Sequence, residues 1–400
     1  MTKQSDRDSF HLLTEFLHET ESLWRERPFA QSPLSWEESH PHFVSELLTL
    51  EDDVLDDFEA SPHLLSQYSD VFKNICHQTQ ALAHVKSIEL SPTEDEAPYP
   101  PLRQIPERKR TQIEHFTRAC SSLLGPPSGH WAEWCSGKGH LGRALLRTGC
   151  ETVLSIERNA ALISKGRILA TQEDAKQSFL HADVLKDSLA IHLSGLTGLV
   201  SLHACGVLTD KVLEVASTHN IPSVLASPCC YHAGVGKKLT LRSREGLSVP
   251  FSISGEELRL VTAEVVVARQ SLRKGRIRQM GWRLALDTWV REQSGVDEYI
   301  PQGSFSSKAT SGDFNGFMSV ACPRMGVSIP KDTIAKLERE GHARAGKVRR
   351  LALIRGLFRR VLEKWINLDR VLYLQEQGRP SVLRTYCHRV HSPRNHLIVG

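Results

Sequence analysis

The chain has 400 residues, 40% apolar and 24% charged, which is long enough for two or three packed units and free of disordered or fibrous bias. Its formal net charge of +4 hides an asymmetry, because residues 1–100 carry 6 Lys+Arg against 20 Asp+Glu while the other 300 carry 44 against 26. The opening MTKQSDRDSF lacks a signal peptide's apolar stretch and runs such as Val265–Ala268 are too short to span a bilayer, so no export or membrane role is expected. Nine scattered cysteines fit reduced thiols and a cytoplasmic setting.

Along the chain, Phe10, Leu13, Phe16, Leu17, Leu23 and Trp24 recur at helical spacing, as do Leu64, Leu65, Tyr68, Val71, Phe72 and Ile75. This predicts an acidic helical domain over residues 1–90. The segment SPTEDEAPYPPLRQIP holds five prolines and three consecutive acids, which suits a linker over 91–106. Beyond a helix from about 107, strand-like runs at Trp131–Cys135, Thr152–Glu157, Ser178–His181, Leu199–His203 and Val224–Ser227 alternate with helical stretches. Alternation of this kind predicts a parallel α/β sheet in a domain spanning 107–330. Residues 331–400 read as a basic helical extension.

The first strand runs into Glu133-Trp134-Cys135-Ser136-Gly137-Lys138-Gly139-His140-Leu141-Gly142. Gly137 and Gly139 permit a tight strand-to-helix turn that exposes backbone to a ligand, with Cys135 and Leu141 beside it. A dinucleotide pyrophosphate uses the same device, but a carboxylate at Glu133 suits a cationic amino group better, which favours S-adenosylmethionine over NAD. Glu157 closes the second strand, where a carboxylate accepts ribose hydroxyls, and Asp183 after the third is placed to receive an adenine amino group. A helix cap for DVLKDSL is the plain structural alternative for Asp183.

Strands four and five end in His203-Ala204-Cys205-Gly206 and Ser227-Pro228-Cys229-Cys230-Tyr231-His232. These ends face the acceptor in an open α/β sheet. His203 and His232 are candidate bases, Tyr231 a stacking platform, and Cys205 a further catalytic candidate; His203 also borders the cofactor. Zinc at Cys205, Cys229, Cys230 and His232 is not expected, because neighbouring cysteines in an extended segment point to opposite faces and no C-x2-C knuckle is present. Six cations between Arg269 and Arg283 and eight between Arg344 and Lys364 make RNA an expected partner of the carboxyl-terminal region, the alternative being a packed helix with a solvated charged face.

GKGHLGR, HACG and CCYH in that order, with the tail segments Leu368–Gly378 and Ser392–Asn395, resemble the S-adenosylmethionine-dependent methyltransferases around methyltransferase-like protein 25 and the ribosomal RNA adenine dimethylase domain-containing protein. The resemblance covers about residues 107–400. It implies a class I, Rossmann-like methyltransferase sheet with an N-terminal helical domain and a C-terminal helical extension, S-adenosylmethionine as cofactor, and RNA or protein as acceptor. Glu133 stands where that family often carries Asp, and Cys135 where many class I enzymes have Gly. A cofactor-binding but inactive nucleic-acid-binding module is the alternative from another functional class.

Overall fold

In the computed structural model, residues 5–89, 104–263 and 270–400 are described. Most of the proline-rich linker, Val265–Ala268 and Arg269 lie outside them. Seven strands, β1 (His130–Trp134), β2 (Thr152–Glu157), β3 (Gln177–His181), β4 (Gly198–Cys205), β5 (Ser223–Cys229), β6 (Val382–Thr385) and β7 (His396–Val399), form one sheet in the order β3-β2-β1-β4-β5-β7-β6. Strands β1 to β5 pair parallel, in the places the alternation predicts. Strand β7 runs antiparallel between β5 and β6. The architecture is α/β, a mixed sheet of seven strands with flanking helices in the Rossmann-like arrangement expected.

Two features depart from the sequence reading. Residues 331–400 are not wholly helical, since they supply β6 and β7. All four residues of β7 are buried, so its HLIV run shows no alternation, and a short apolar run does not distinguish strand from helix. The compact units also cut across boundaries at 90, 106 and 330: one comprises Met1–His18, Leu82–Ala263 and Arg360–Gly400, the other Glu19–Ala81 and Glu264–Arg359.

In the first unit, the helix Asp6–Glu19 buries Phe10, Leu13 and Leu17. Phe10 stacks on Trp365 at 5.7 Å, and the Trp365 indole donates to Thr14 Oγ1 at 2.8 Å. An amphipathic helix needs an apolar partner, and the helix Arg359–Glu376 provides it. The sheet core includes Phe116, Trp131, Leu141, Val153, Val200, Leu225 and Leu397.

In the second unit the charge asymmetry finds its explanation. Arg349, 7% exposed, donates to Asp56 at 2.6 Å and Glu59 at 2.7 Å. Arg350 reaches Asp52 and the Leu50 carbonyl, Lys347 pairs with Glu37, and Arg344 with Asp287. Arg355 and Arg359 donate to the carbonyls of Trp24 and Glu59. Within the first unit, Arg360 donates to Glu363 and Asn395, and Lys364 to the Leu82 carbonyl. The cations of 344–364 thus have partners within the protein, and for Lys347, Arg349 and Arg350 those partners are acids of the N-terminal segment. They do not form the solvated phosphate-tracking face expected from sequence. Among the described residues no helix is long and apolar enough to cross a membrane.

Candidate functional site

Strand order reverses between β1 and β4, and in an open α/β sheet ligands lie beyond the carboxyl ends of the strands at that reversal. The chain leaves β1 through Cys135 (φ +55) and Gly137 (φ +59) to enter the helix His140–Arg147. The Gly137 amide donates to Glu157 Oε2 at 2.8 Å, and the Asn159 amide to Oε1 at 2.9 Å. Glu157, at the end of β2, therefore fixes the loop. A Cβ at Gly137 would project into open space, so this bend leaves room beside bare backbone.

A cavity of about 410 Å³ opens here, and it brings together four of the predicted residues, Cys135, Glu157, Asp183 and Cys205. Ala182 and Val184 line it as expected. Ile156, Arg158, Leu185, Val207, Leu208, Ala233 and Gly234 also line it and were not singled out from sequence. The signal was present: Ile156 and Arg158 flank Glu157, and the others directly follow strand ends already identified. Asp183 accepts from the Leu185 amide at 3.1 Å, so it holds a turn over 184–186 while facing the cavity. The expected helix cap is thus a turn, since no helix begins at Asp183. Apolar walls suited to a flat ring, with two carboxylates that accept from hydroxyl and amino groups, fit an adenosyl group.

Other predicted residues are placed differently. Glu133 is 4% exposed, and its Oε2 accepts from the Gly142 amide at 3.0 Å and from Ser155 Oγ at 2.9 Å. It ties the glycine loop to β2 and does not line the cavity, which gives it a positioning role. A Cβ on Gly139 would run into Gln177 and Phe179, and Leu141 is buried in the sheet core, so both serve packing. Tyr231 is 1% exposed, with its hydroxyl donating to Glu363 Oε1 at 2.9 Å and accepting from Asn367 at 2.9 Å. It is a core anchor, not a stacking platform. His232 Nδ1 is buried without a hydrogen-bond partner. His203 Nε2 meets Gln112 Oε1 at 3.0 Å, a partner sequence reasoning missed because it comes from the helix Glu107–Leu124.

Burial pushes the Glu133 carboxyl up to about 7, against the opposing pull of Ser155, the Gly142 amide and Arg143. A carboxyl whose folded pKa exceeds its unfolded value contributes stability that is full below the unfolded pKa and lost as pH rises through the folded one. Stability of this unit should therefore fall by about 3 kcal/mol between roughly pH 4.5 and 7 on account of Glu133. Glu133→Gln should flatten that part of the profile. Urea midpoints at four pH values check it, and an unchanged slope in the variant would refute it.

Three non-glycine residues with positive φ sit at the strand ends: Cys135 after β1, His203 (φ +74) in β4 and Cys230 (φ +40) after β5. At His203 the β4–β5 register slips between Leu202 and Cys205, and a bulge of this kind re-aims side chains. The left-handed backbone at Cys230 breaks the extended alternation, so Cys229 and Cys230 do not point to opposite faces as expected. Their sulfurs and that of Cys205 all lie within 4.8 Å of one another, with Cys205 Sγ 3.3 Å from Cys229 Sγ. Hydrogen bonds from the two neighbouring thiols, against desolvation, draw Cys205 down to about 6, while its partner Cys229 is pushed up. At Gly206 (φ +54) any Cβ would overlap the Ala233 carbonyl, so only glycine lets the two strand-end loops approach this closely.

A family described as a methyltransferase domain matches residues 108–234. Among curated proteins, the chain is similar to the glutathione S-transferase C-terminal domain-containing protein homologs of Drosophila pseudoobscura pseudoobscura (26% identity over 168 residues, 42% of this chain and 28% of that one) and Drosophila melanogaster (27% over 177 residues, 44% and 29%). The Xenopus laevis protein of corresponding name matches at 27% over 129 residues, 31% of this chain and 19% of that one. The chain spans less than a third of the length of these relatives. A Pyrococcus abyssi tRNA (uracil-54, C5)-methyltransferase in complex with S-adenosyl-L-homocysteine aligns at TM-score 0.24 and 17% identity, over 30% of this chain and 28% of that one. Residues 108–234 thus match a methyltransferase domain, and the cofactor such a domain uses is S-adenosylmethionine.

Proposed function

We propose that this chain is an S-adenosylmethionine-dependent methyltransferase, related to the proteins around methyltransferase-like protein 25, and that its acceptor is RNA. The observation that carries the reading is the cavity beyond β1, β2 and β4, where Glu157 and Asp183 both present acceptors beside apolar walls. When bound, the cofactor supplies a methyl group activated on a sulfonium sulfur. Glu157 would accept from the ribose hydroxyls and Asp183 from the adenine amino group, with Ile156 and Val184 against the ring.

Support for a polyanionic acceptor comes from cations at the cavity and around the two strand-end histidines, not from the carboxyl-terminal arginines. Exposed Arg158 lines the cavity, Lys109 and Arg108 act electrostatically on His203, and Arg259 acts on His232. Burial, reinforced by Lys109 and Arg108, lowers His203 to about 4, so at neutral pH it is uncharged and a weak base.

The deciding experiment is incubation with methyl-labelled cofactor and separated RNA and protein from cells lacking the chain. Label is expected in RNA; label in the protein fraction alone, or in neither, would overturn the acceptor assignment. With RNA bound, Lys109→Ala/Arg259→Ala should reduce the slope of log K against log salt by about 0.7 to 0.9 per lost contact. An unchanged slope would remove Lys109 and Arg259 from the interface.

A further inference from the structure

We propose that Cys205, Cys229 and Cys230 form a three-thiolate site for a zinc ion beside the cofactor cavity. Three sulfurs converge from two strand ends, all within 4.8 Å of one another. Thiolates about 2.3 Å from a tetrahedral zinc stand about 3.8 Å apart, and the 3.3 Å between Cys205 and Cys229 together with the 4.8 Å bound brackets that value. Small adjustments of side chains already facing one another close the site.

The convergence is built by backbone that these residue types seldom adopt. Positive φ is uncommon for a residue other than glycine and persists where surrounding structure enforces it. At Cys230 such a bend turns its sulfur toward Cys229, and at His203 another sits in the register slip that places Cys205. Gly206 completes the arrangement by letting the β4 loop meet the Ala233 carbonyl.

The donor set selects the ion. Three soft thiolates favour a thiophilic metal over magnesium, calcium or manganese, and zinc takes such ligands in tetrahedral geometry. Among the described residues no fourth His, Cys, Asp or Glu joins the cluster: His232, the fourth member considered from sequence, remains outside it. The protein thus supplies three ligands and leaves one coordination position open, the pattern of reactive zinc sites and not of closed structural ones. Cys205 belongs to both the cluster and the cavity wall, so that position adjoins the place where methyl transfer is proposed. The inference about the ion stands without that proposal, because it rests on the sulfur geometry alone.

The test uses the full chain, purified reduced and without chelator after expression with zinc. Elemental analysis should give about one zinc per chain, and replacement by cobalt should give thiolate-to-cobalt charge transfer in the near ultraviolet with intense visible bands of a tetrahedral ion. Cys230→Ser should abolish the stoichiometric zinc and, with it, the thiolate-to-cobalt charge transfer. Cys322→Ser, in the other unit, should change neither. Should Cys230→Ser fail to fold, the wild-type cobalt spectrum and a competition titration against a chromogenic zinc chelator still decide. A reduced, folded wild type that takes up neither metal would overturn the proposal. So would cobalt bands that survive intact in Cys230→Ser, or an intact mass lower by two hydrogens, which would mark a disulfide between Cys205 and Cys229 instead.

Discussion

Glu157→Ala should bind S-adenosylhomocysteine about 10- to 100-fold more weakly than the parent chain, a loss of roughly 1.5 to 3 kcal/mol that calorimetry reads directly. Two contributions are removed together. The carboxylate faces the cavity as an acceptor for ligand hydroxyls, and it also holds the Gly137 and Asn159 amides, which keep the glycine loop in its bent course. Asp183→Asn should cost less, because an amide oxygen still accepts from Leu185 and only the charge-assisted part of a ligand contact is lost. Glu133→Gln should leave affinity close to that of the parent, since Glu133 lies outside the cavity. Unchanged affinity in a folded Glu157→Ala protein would remove the cavity from consideration as the cofactor site.

Glu363→Ala should have the largest effect on stability, lowering it by about 3 to 5 kcal/mol, the usual range when one member of a buried ion pair is removed. Glu363 is fully buried and accepts from both Arg360 and the Tyr231 hydroxyl, while Asn367 bridges Tyr231 and His396. Truncation leaves the Arg360 guanidinium short of its counter-ion and the Tyr231 hydroxyl without an acceptor. Tyr231→Phe should cost about 1 to 2 kcal/mol by comparison. Denaturant unfolding of both variants checks the ranking, and a Glu363→Ala midpoint indistinguishable from the parent would show that the network contributes little.

The parallel half of the sheet was legible because each strand there is an apolar run ended by a turn signal and followed by a helix-forming stretch. The cavity was partly legible for the same reason: Glu157 and Asp183 end strands, and strand ends are where open sheets bind ligands. Three kinds of information were not legible. The partner of a charged side chain in space has no local signature, so Arg349 and Arg350 looked like a nucleic-acid face when Asp52, Asp56 and Glu59 already neutralise them. The direction of a side chain at a bend depends on φ, and nothing in CCYH reveals that Cys230 is left-handed. Burial of a polar residue depends on distant elements, which is why Tyr231, met by Glu363 and Asn367, and Glu133, met by Ser155, were assigned to ligands.

The position of β7 bears on how the chain reaches this state during synthesis. Leu225 and Ala226 in the middle of the sheet pair with Val399 and Ile398, and the Val224 amide with the Gly400 carbonyl, across more than 170 residues of sequence. Until residue 399 has been translated, β5 presents an unsatisfied, apolar edge, the feature that invites pairing with other chains. Loop closure over such a separation is slow, so the sheet should be completed late, after the helices of the second unit are already made. A frameshift or premature stop shortly before His396 would therefore leave β5 with an open edge, and the expected fate of that product is aggregation or degradation instead of a mild loss of function.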